Sequence, residues 1–227
     1  MGLEVGVRTP ESGNIINSKI GSASLVEIAG ELAVITADHV VNPENGNKNK
    51  DTFLKNSGKE IPLDPFKQVG NYDLAVNKLD RKEIESLEKA GVNINKTLKL
   101  PEPNRKLPPE LTTTSNFKGG KDQGVSKHKV ALANTENQPV NIKNEADGNN
   151  KEYDTTQQTQ ITNPNGELDK GSSGGGLENN GSLYAVVSTK ITDDGTTQQA
   201  TKGNINAVDL RNAKVQAAIG KALSVAA

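Results

Sequence analysis

The chain has 227 residues with 27 basic and 28 acidic side chains, so its formal net charge is −1. Because nucleic acids and anionic membranes call for clustered Lys and Arg, this balance predicts neither as a partner. The absence of cysteine excludes disulfides, cysteine metal ligands and thiol nucleophiles, and the absence of a run of about 18 apolar residues predicts no membrane insertion.

Strand patterns dominate the first half of the chain. The predicted strands are residues 22–28, 31–36, 61–66 and 72–79. The first two form a hairpin around Gly30, the second leads to His39, and the last places Asp73 at its start. Between them, residues 42–59 are dense in Asn, Gly and Lys and predict a surface loop.

A short helix and a proline-rich connector follow. Apolar residues at helical spacing predict a helix over 81–90 that stops at Gly91. These residues are Ile84, Leu87 and Ala90. Closely spaced prolines stiffen a connector and stop helices, which predicts a linker between two halves. The prolines are Pro101, Pro103, Pro108 and Pro109.

The second half again predicts strands, at residues 112–115, 130–133, 155–162 and 183–187. A long polar region, 134–153, predicts an extended loop. From Val208 onward, apolar residues recur at helical spacing and predict a C-terminal helix. With a hydrophobic share of only 32%, the chain favours a thin β core with many polar loops over a helical bundle.

A serine stands among glycines in the segment Gly171-Ser172-Ser173-Gly174-Gly175-Gly176-Leu177. A backbone that cradles an oxyanion beside a nucleophile requires such a segment, since glycine takes turns that other residues avoid. A flexible linker is the other interpretation of a Gly/Ser run. Against a linker, an Asn180-Gly181 turn and the strand 183–187 follow at once, and these would bury the far end of the segment.

A serine hydroxyl becomes an effective nucleophile when an imidazole takes its proton and a carboxylate orients the imidazole. The chain has two histidines, His39 and His128. His128 lies between Lys127 and Lys129, where neighbouring cations disfavour a protonated ring, so His39 is the predicted base. Each residue also has a non-catalytic interpretation when it is considered alone. His39 could be a hydrogen-bonded core or surface histidine, and Asp73 could be a turn or cap residue.

Three segments in the order His, Asp, Ser resemble the trypsin-like (chymotrypsin-fold) serine peptidases, in their cysteine-free bacterial or viral branch. They are Ile35-Thr36-Ala37-Asp38-His39-Val40, Asp73-Leu74-Ala75-Val76 and the glycine-rich segment. The resemblance implies an all-β fold of two six-stranded antiparallel β-barrels with a C-terminal α-helix. Residues 1–104 would form the barrel that carries His and Asp, and residues 105–227 the barrel that carries Ser, in one peptidase unit.

The same resemblance implies a role for each matching residue. His39 would be the general base, Asp73 the orienting acid and Ser173 the nucleophile of a serine endopeptidase that works through an acyl-enzyme. The backbone N–H groups of Gly171 and Ser173 would form the oxyanion hole. The implied partners are protein or peptide substrates, with no cofactor, no metal and a monomeric state.

The resemblance also implies substrate contacts, and three positions, Glu167, Lys190 and Ser172, bear on how this chain differs from other members of the family. Ser188, Thr189 and Lys190 match the segment that pairs with the substrate backbone as an added strand. Glu167 matches the floor of the primary pocket and would favour Lys or Arg before the scissile bond. Lys190 stands where the family often keeps glycine and would neutralise that carboxylate, and an exposed turn residue is the alternative for Glu167. Ser172 replaces the Asp that many relatives pair with a new N-terminus, which predicts no zymogen activation of that kind.

Rival interpretations remain open on the sequence alone. A high-temperature-requirement-like quality-control protease shares the first two motifs, although the peptide-binding domain of that branch does not follow here. A catalytically silent binding module on the same fold, and an esterase or acyl transferase, use the same residues. The N-terminal residues show no secretory signal, which predicts a cytoplasmic protein unless a signal has been removed, and a secreted one if it has.

Overall fold

The structure is a computed structural model, and it describes residues 2–10, 16–42, 51–116, 125–132, 141–143, 150–154, 157–162, 172–190 and 204–224. Strands dominate these residues. The strands are β1 (Gly2–Pro10), β2 (Ile16–Ile28), β3 (Glu31–Thr36), β4 (Asp51–Asn56), β5 (Lys59–Leu63), β6 (Lys67–Gln68), β7 (Ala75–Lys78), β8 (Leu98–Lys99), β9 (Glu110–Asn116), β10 (Val125–Leu132), β11 (Asn141–Lys143), β12 (Asn150–Glu152), β13 (Gln158–Thr162), β14 (Gly176–Asn179), β15 (Ser182–Lys190) and β16 (Asn204–Asp209). The helical elements are α1 (Asp38–Val41), α2 (Arg81–Lys89), α3 (Ala213–Ser224) and a 3₁₀ turn at Ile94–Lys96.

One large sheet of 14 strands forms the body of the molecule, in the order β14-β9-β10-β13-β16-β15-β8-β2-β1-β4-β5, with β3, β7 and β6 branching from β2. β8 lies between β2 and β15 and pairs parallel with both, so it joins the strands of the two halves. β14 also pairs with β15, whereas the other end of the path stops at β5, so the sheet as a whole is not closed. The structure thus confirms a mostly β chain with a C-terminal helix, while the arrangement in two closed barrels stays a prediction.

Two of these strands, β1 and β4, lie where the sequence indicated no strand. The prediction of a loop over 42–59 is wrong at β4, because β4 pairs along β1 and sets Leu54 opposite Val5. Both side chains are fully buried. This pairing overrides a local composition of Asn and Lys that disfavours strands. The loop predicted over 134–153 likewise contains β11 and β12, which pair with each other.

Apolar side chains form three clusters, one within each half and one between the halves. The cluster between the halves contains Ile35 and Leu74 from the first half, Val186 and Val208 from the second, and Val215 of α3. Burial of apolar surface contributes about 25 cal/mol per Å², so this shared core holds the two halves against each other. Leu74 follows Asp73 directly, so the shared core also anchors a candidate site residue.

Both predicted helices are confirmed. Asp80 accepts a hydrogen bond from Glu83 N over 2.7 Å and donates its own N–H to the Glu83 carboxylate over 2.8 Å, which is a capping box at the start of α2. Gly91 follows this helix at a φ of +82°. α3 begins at Ala213 rather than near Val208, because Val208 lies in β16. Among the described residues, no helix has the length and apolar character to cross a membrane.

Candidate active site

His39 lies in α1, the single helical turn that follows β3. The sequence indicated that a buried strand would lead directly to this ring, and the structure inserts the first residues of a helical turn between them. Val40 and Val41 are buried and anchor the turn to the core of the first half. The His39 side chain keeps 23% of its surface exposed. The ring therefore sits on a fixed support and remains accessible to solvent.

Asp73 lies in a turn two residues before β7, whereas the sequence predicted it within the start of a strand over 72–79. Two backbone hydrogen bonds close this turn. Val69 N donates to Leu74 O over 2.8 Å, and Tyr72 N donates to Val69 O over 3.1 Å. The Asp73 side chain is fully buried. A buried carboxylate is costly unless it is paired and hydrogen-bonded, so its partners identify what this turn is built to hold.

The partners of the Asp73 carboxylate are His39 and Ser188. His39 Nδ1 lies 2.9 Å from Asp73 Oδ2 and 3.1 Å from Oδ1, and the backbone N–H of His39 donates to Oδ1 over 3.0 Å. Burial raises the pKa of Asp73, but the positive charge of His39 and the hydrogen bonds from His39 and Ser188 outweigh burial and hold this pKa below its ordinary value. An ionised carboxylate can only accept, so Nδ1 is the nitrogen of His39 that carries the proton.

Ser188 was predicted to contact substrate, and the structure gives its side chain another partner. The hydroxyl of Ser188 is fully buried and donates to Asp73 Oδ2. Ser188 lies on β15, directly after the buried Val186 and Val187. A hydroxyl directly after an apolar run is a sequence signal for a buried polar partner, although it does not identify that partner. The backbone of Ser188 stays a candidate for pairing with substrate.

Ser173 lies in a tight turn whose backbone is bonded on both sides. Gly175 N donates to Ser172 O over 2.9 Å, which closes the turn, and Gly174 N donates to Val187 O over 2.7 Å. The carbonyl of Ser173 accepts a hydrogen bond from Ser22 N in β2 over 2.7 Å. The linker interpretation is therefore wrong for residues 172–176. This turn belongs to the second half and is fixed to a strand of the first.

Gly174 explains why this turn needs glycine. Its φ is +84°, and a Cβ atom built on it would overlap the carbonyl oxygen of Ser22 and Oγ1 of Thr36, and would lie 3.1 Å from Ala37 N. Ala37 is the N-cap residue of α1, the turn that carries His39. The structure thus brings the Ser173 turn against the chain segment that leads into His39.

We expect Gly174→Ala to lower the free energy of unfolding by clearly more than Gly30→Ala. Both glycines have a φ of +84°, so both substitutions carry the left-handed backbone cost of roughly 1–2 kcal/mol. Gly30 has no atom within 4 Å of a built Cβ, whereas at Gly174 backbone atoms must move. Urea unfolding of the two variants measures the difference. Equal destabilisation would contradict the close packing of the Ser173 turn.

Several predicted site residues lie outside the described part of the chain. Glu167 and Gly171 belong to this group. The predicted pocket floor and the predicted oxyanion hole stay predictions. Thr189 and Lys190 are described only in their backbone, where Lys190 pairs with Ile205 of β16. Within the described residues, no group of three or more His, Asp or Glu side chains is placed to hold a metal ion.

Comparison with known proteins shows a shared fold. No protein-family model matches the sequence, and no curated protein matches it significantly. A thermostable serine protease, AL20, from an extremophilic microorganism is 14% identical with a TM-score of 0.62, over 97% of this chain and 96% of that chain. The Rv3671c protease from M. tuberculosis in its active form is 13% identical with a TM-score of 0.54, over 91% of this chain and 75% of that chain. A scabies mite inactivated protease paralogue, S-D1, is 14% identical with a TM-score of 0.56, over 97% of this chain and 91% of that chain.

At these identities the likeness shows the fold alone, which is the chymotrypsin fold of trypsin-like serine proteases. The fold expected from the His, Asp and Ser motifs is confirmed at this level. The neighbours include a protein described as an inactivated paralogue, so the fold by itself does not fix an activity.

Proposed function

We propose that this chain is a serine endopeptidase in which His39, Asp73 and Ser173 form the catalytic triad. The observation that carries the proposal is the contact of 2.9 Å between His39 Nδ1 and a fully buried Asp73 carboxylate. A carboxylate in this position holds the imidazole in the tautomer that leaves Nε2 free to accept a proton. The turn of Ser173 supports the third assignment, because it is bonded to Ser22 beside the segment that carries His39.

Catalysis then follows the chemistry of these three groups. Ser173 Oγ attacks the carbonyl carbon of the scissile peptide bond, and its proton passes to Nε2 of His39. The imidazolium, stabilised by Asp73, gives this proton to the leaving amine as the C–N bond breaks, which leaves an acyl group on Ser173. A water molecule then attacks the acyl carbon while Nε2 of His39 takes a proton from it. As the C–O bond to Ser173 breaks, His39 returns this proton to Ser173 Oγ and the acid is released.

The backbone around Ser173 supplies the electrostatic part of the proposal. The N–H groups of Gly171 and Ser173 would bind the oxyanion, and each such donor is worth on the order of 3 kcal/mol in the transition state. The backbone of residues 188–190 would pair with the substrate chain, and Glu167 with Lys190 would set the preference before the scissile bond. The substrates are proteins or peptides, and the acting unit is a monomer.

We also propose that residues 1–104 and residues 105–227 each form a β-barrel. Strand pairing supports the second of them, because β14, β9, β10, β13, β16 and β15 pair in succession and β15 pairs again with β14. In the first half the pairing runs β5-β4-β1-β2-β3-β7-β6. Shared apolar packing with α3 would make the two barrels one peptidase unit.

A fluorophosphonate probe tests the proposed nucleophile. We expect the wild-type protein to form an adduct, which mass spectrometry locates on Ser173 and not on the neighbouring Ser172. Ser173→Ala and His39→Ala should form none, because the first lacks the nucleophile and the second its base. No adduct in well-folded wild-type protein would favour the silent binding module. Labelling with cleavage of small esters but of no peptide would favour the esterase.

A further inference from the structure

Asp38, the residue before His39, has a side chain that the proposed chemistry does not use. It is the first residue of α1 and is fully buried. Its Oδ1 accepts a hydrogen bond from Asn42 Nδ2 over 2.6 Å, and its backbone carbonyl accepts from Asn42 N over 2.7 Å. The carboxyl group of Asp38 therefore stabilises the C-terminal end of α1, the turn that carries His39.

The second oxygen of Asp38 binds the other half of the molecule. The hydroxyl of Tyr153, which follows β12, donates to Asp38 Oδ2 over 3.0 Å. Tyr153 is 7% exposed and lies 115 residues away in the chain. In the low dielectric of the interior a hydrogen bond is electrostatically stronger than in water, and its loss is costly. This contact is therefore a specific tie between the halves.

The residue after Tyr153 makes a second tie. Asp154 N donates to the carbonyl of Asn71 over 2.8 Å, and Asn71 lies two residues before Asp73 in the turn that holds it. Two consecutive residues of the second half thus bind the two separate turns that carry His39 and Asp73. We call residues 153–154 the latch.

We propose that Tyr153 is a positioning residue, which acts through Asp38 to hold the His39 turn in register with the Asp73 turn. This inference rests on the proposed function, since it gives the latch a role in the same reaction. The His39 to Asp73 contact joins two turns that are far apart in sequence, so a tie that spans both fixes their separation. Catalytic groups must be held close to their productive geometry, and a displacement of about 1 Å can cost a hundredfold in rate.

Tyr153→Phe tests the latch because it removes one hydroxyl and keeps the ring. Tyr184→Phe is the matched control, since Tyr184 is also buried, at 3% exposure, in the core of the second half. We expect Tyr153→Phe to lower kcat by at least about tenfold with little change in KM. We expect Tyr184→Phe to stay within about twofold of the wild type. In an Asp38→Ala background, removal of the Tyr153 hydroxyl should have a smaller effect than in the wild type, because the hydrogen bond to Asp38 is already absent.

Proton NMR gives a readout that does not depend on turnover. The Nδ1 proton of His39, shared with Asp73, should resonate far downfield, and His128→Gln identifies it, since the chain has two histidines. We expect Tyr153→Phe to shift or broaden this resonance and Tyr184→Phe to leave it unchanged. An unchanged resonance with unchanged kcat in Tyr153→Phe would overturn the inference. The inference would also be overturned if both variants lost thermal stability and activity to the same extent, because a general loss of stability would then explain the lower activity of Tyr153→Phe.

The two proposals fail separately. If wild-type protein neither labels nor cleaves any substrate, the proposed function is wrong, and the His39 resonance still decides whether Tyr153 positions the ring. If wild-type protein is active and Tyr153→Phe changes neither kcat nor the resonance, the proposed function stands and the positioning role falls.

Discussion

Ser173→Ala should lower kcat for peptide hydrolysis by about 10⁶-fold, as the loss of one member of a cooperative triad does. The proposed nucleophile is the side chain oxygen, which alanine lacks, so attack on the carbonyl carbon must fall to water. Folding should be intact, because the described structural role of Ser173 is its backbone carbonyl, which accepts from Ser22 N. The measurement is steady-state cleavage of a peptide that the wild-type protein hydrolyses, with thermal unfolding of both proteins.

Ser182→Ala is the control for this experiment. Ser182 begins β15 in the same half of the molecule, outside the contacts described for His39, Asp73 and Ser173. Its kcat should equal that of the wild type within about twofold, since surface changes away from a site have small effects. Wild-type kcat in Ser173→Ala would show that another group is the nucleophile and would remove the triad assignment.

The residues of the candidate site differ in how far the sequence predicts them. His39 and Ser173 can be predicted from their neighbours in the sequence, because the first follows an apolar run and the second lies among glycines. Asp73 is a common turn residue, and only its order between the other two indicates a role. Ser188 follows an apolar run, which signals a buried polar partner but does not identify it, because Asp73 lies 115 residues away. Tyr153 could not be assigned, because its partner, Asp38, also lies 115 residues away.

In the fold, too, elements with local sequence signals were predicted, whereas elements that depend on distant residues were not. α2 was predicted well because its apolar spacing and Gly91 are local signals. β1 and β4 were missed because their stability comes from pairing with distant strands, which no window of the sequence displays. β1 pairs with β2 and β4, and β4 pairs with β1 and β5. The open end of the sheet at β5 was not predicted for the same reason, because closure of a sheet depends on the pairing of all its strands.

Fold likeness and site geometry support different parts of the functional proposal. An inactivated paralogue among the neighbours shows that this fold persists when activity is lost. Burial of a carboxylate is costly unless the group is paired and hydrogen-bonded, so the partners of a buried carboxylate show what it holds. Here Asp73 is buried and its described partners are His39 and Ser188. This geometry supports the proposed triad, which the fold alone does not.

Asp73→Asn should lower kcat by about 10⁴-fold while leaving the protein folded. The amide replaces one accepting oxygen with a donor, which would face His39 Nδ1 and favour the tautomer with its proton on Nε2. A protonated Nε2 cannot take the proton of Ser173, so the rate falls although every side chain keeps its place. Asp80→Asn is the matched control, because Asn caps helix α2 as well as Asp does and its activity should be unchanged.

The same variant tests the pKa of Asp73 through stability. A carboxyl group whose pKa is lower in the folded protein than in the unfolded chain contributes stability that is fully present above the unfolded value, about 3.9 for Asp. That contribution is lost as the pH falls through the lower pKa of the folded state. The advantage of the wild type over Asp73→Asn in free energy of unfolding should therefore shrink on acidification below about pH 4. Urea unfolding of both proteins between neutral and acidic pH measures this difference. An advantage that grows on acidification would mean that the folded protein holds the carboxyl group protonated. That result would remove the basis for its role as the partner of His39.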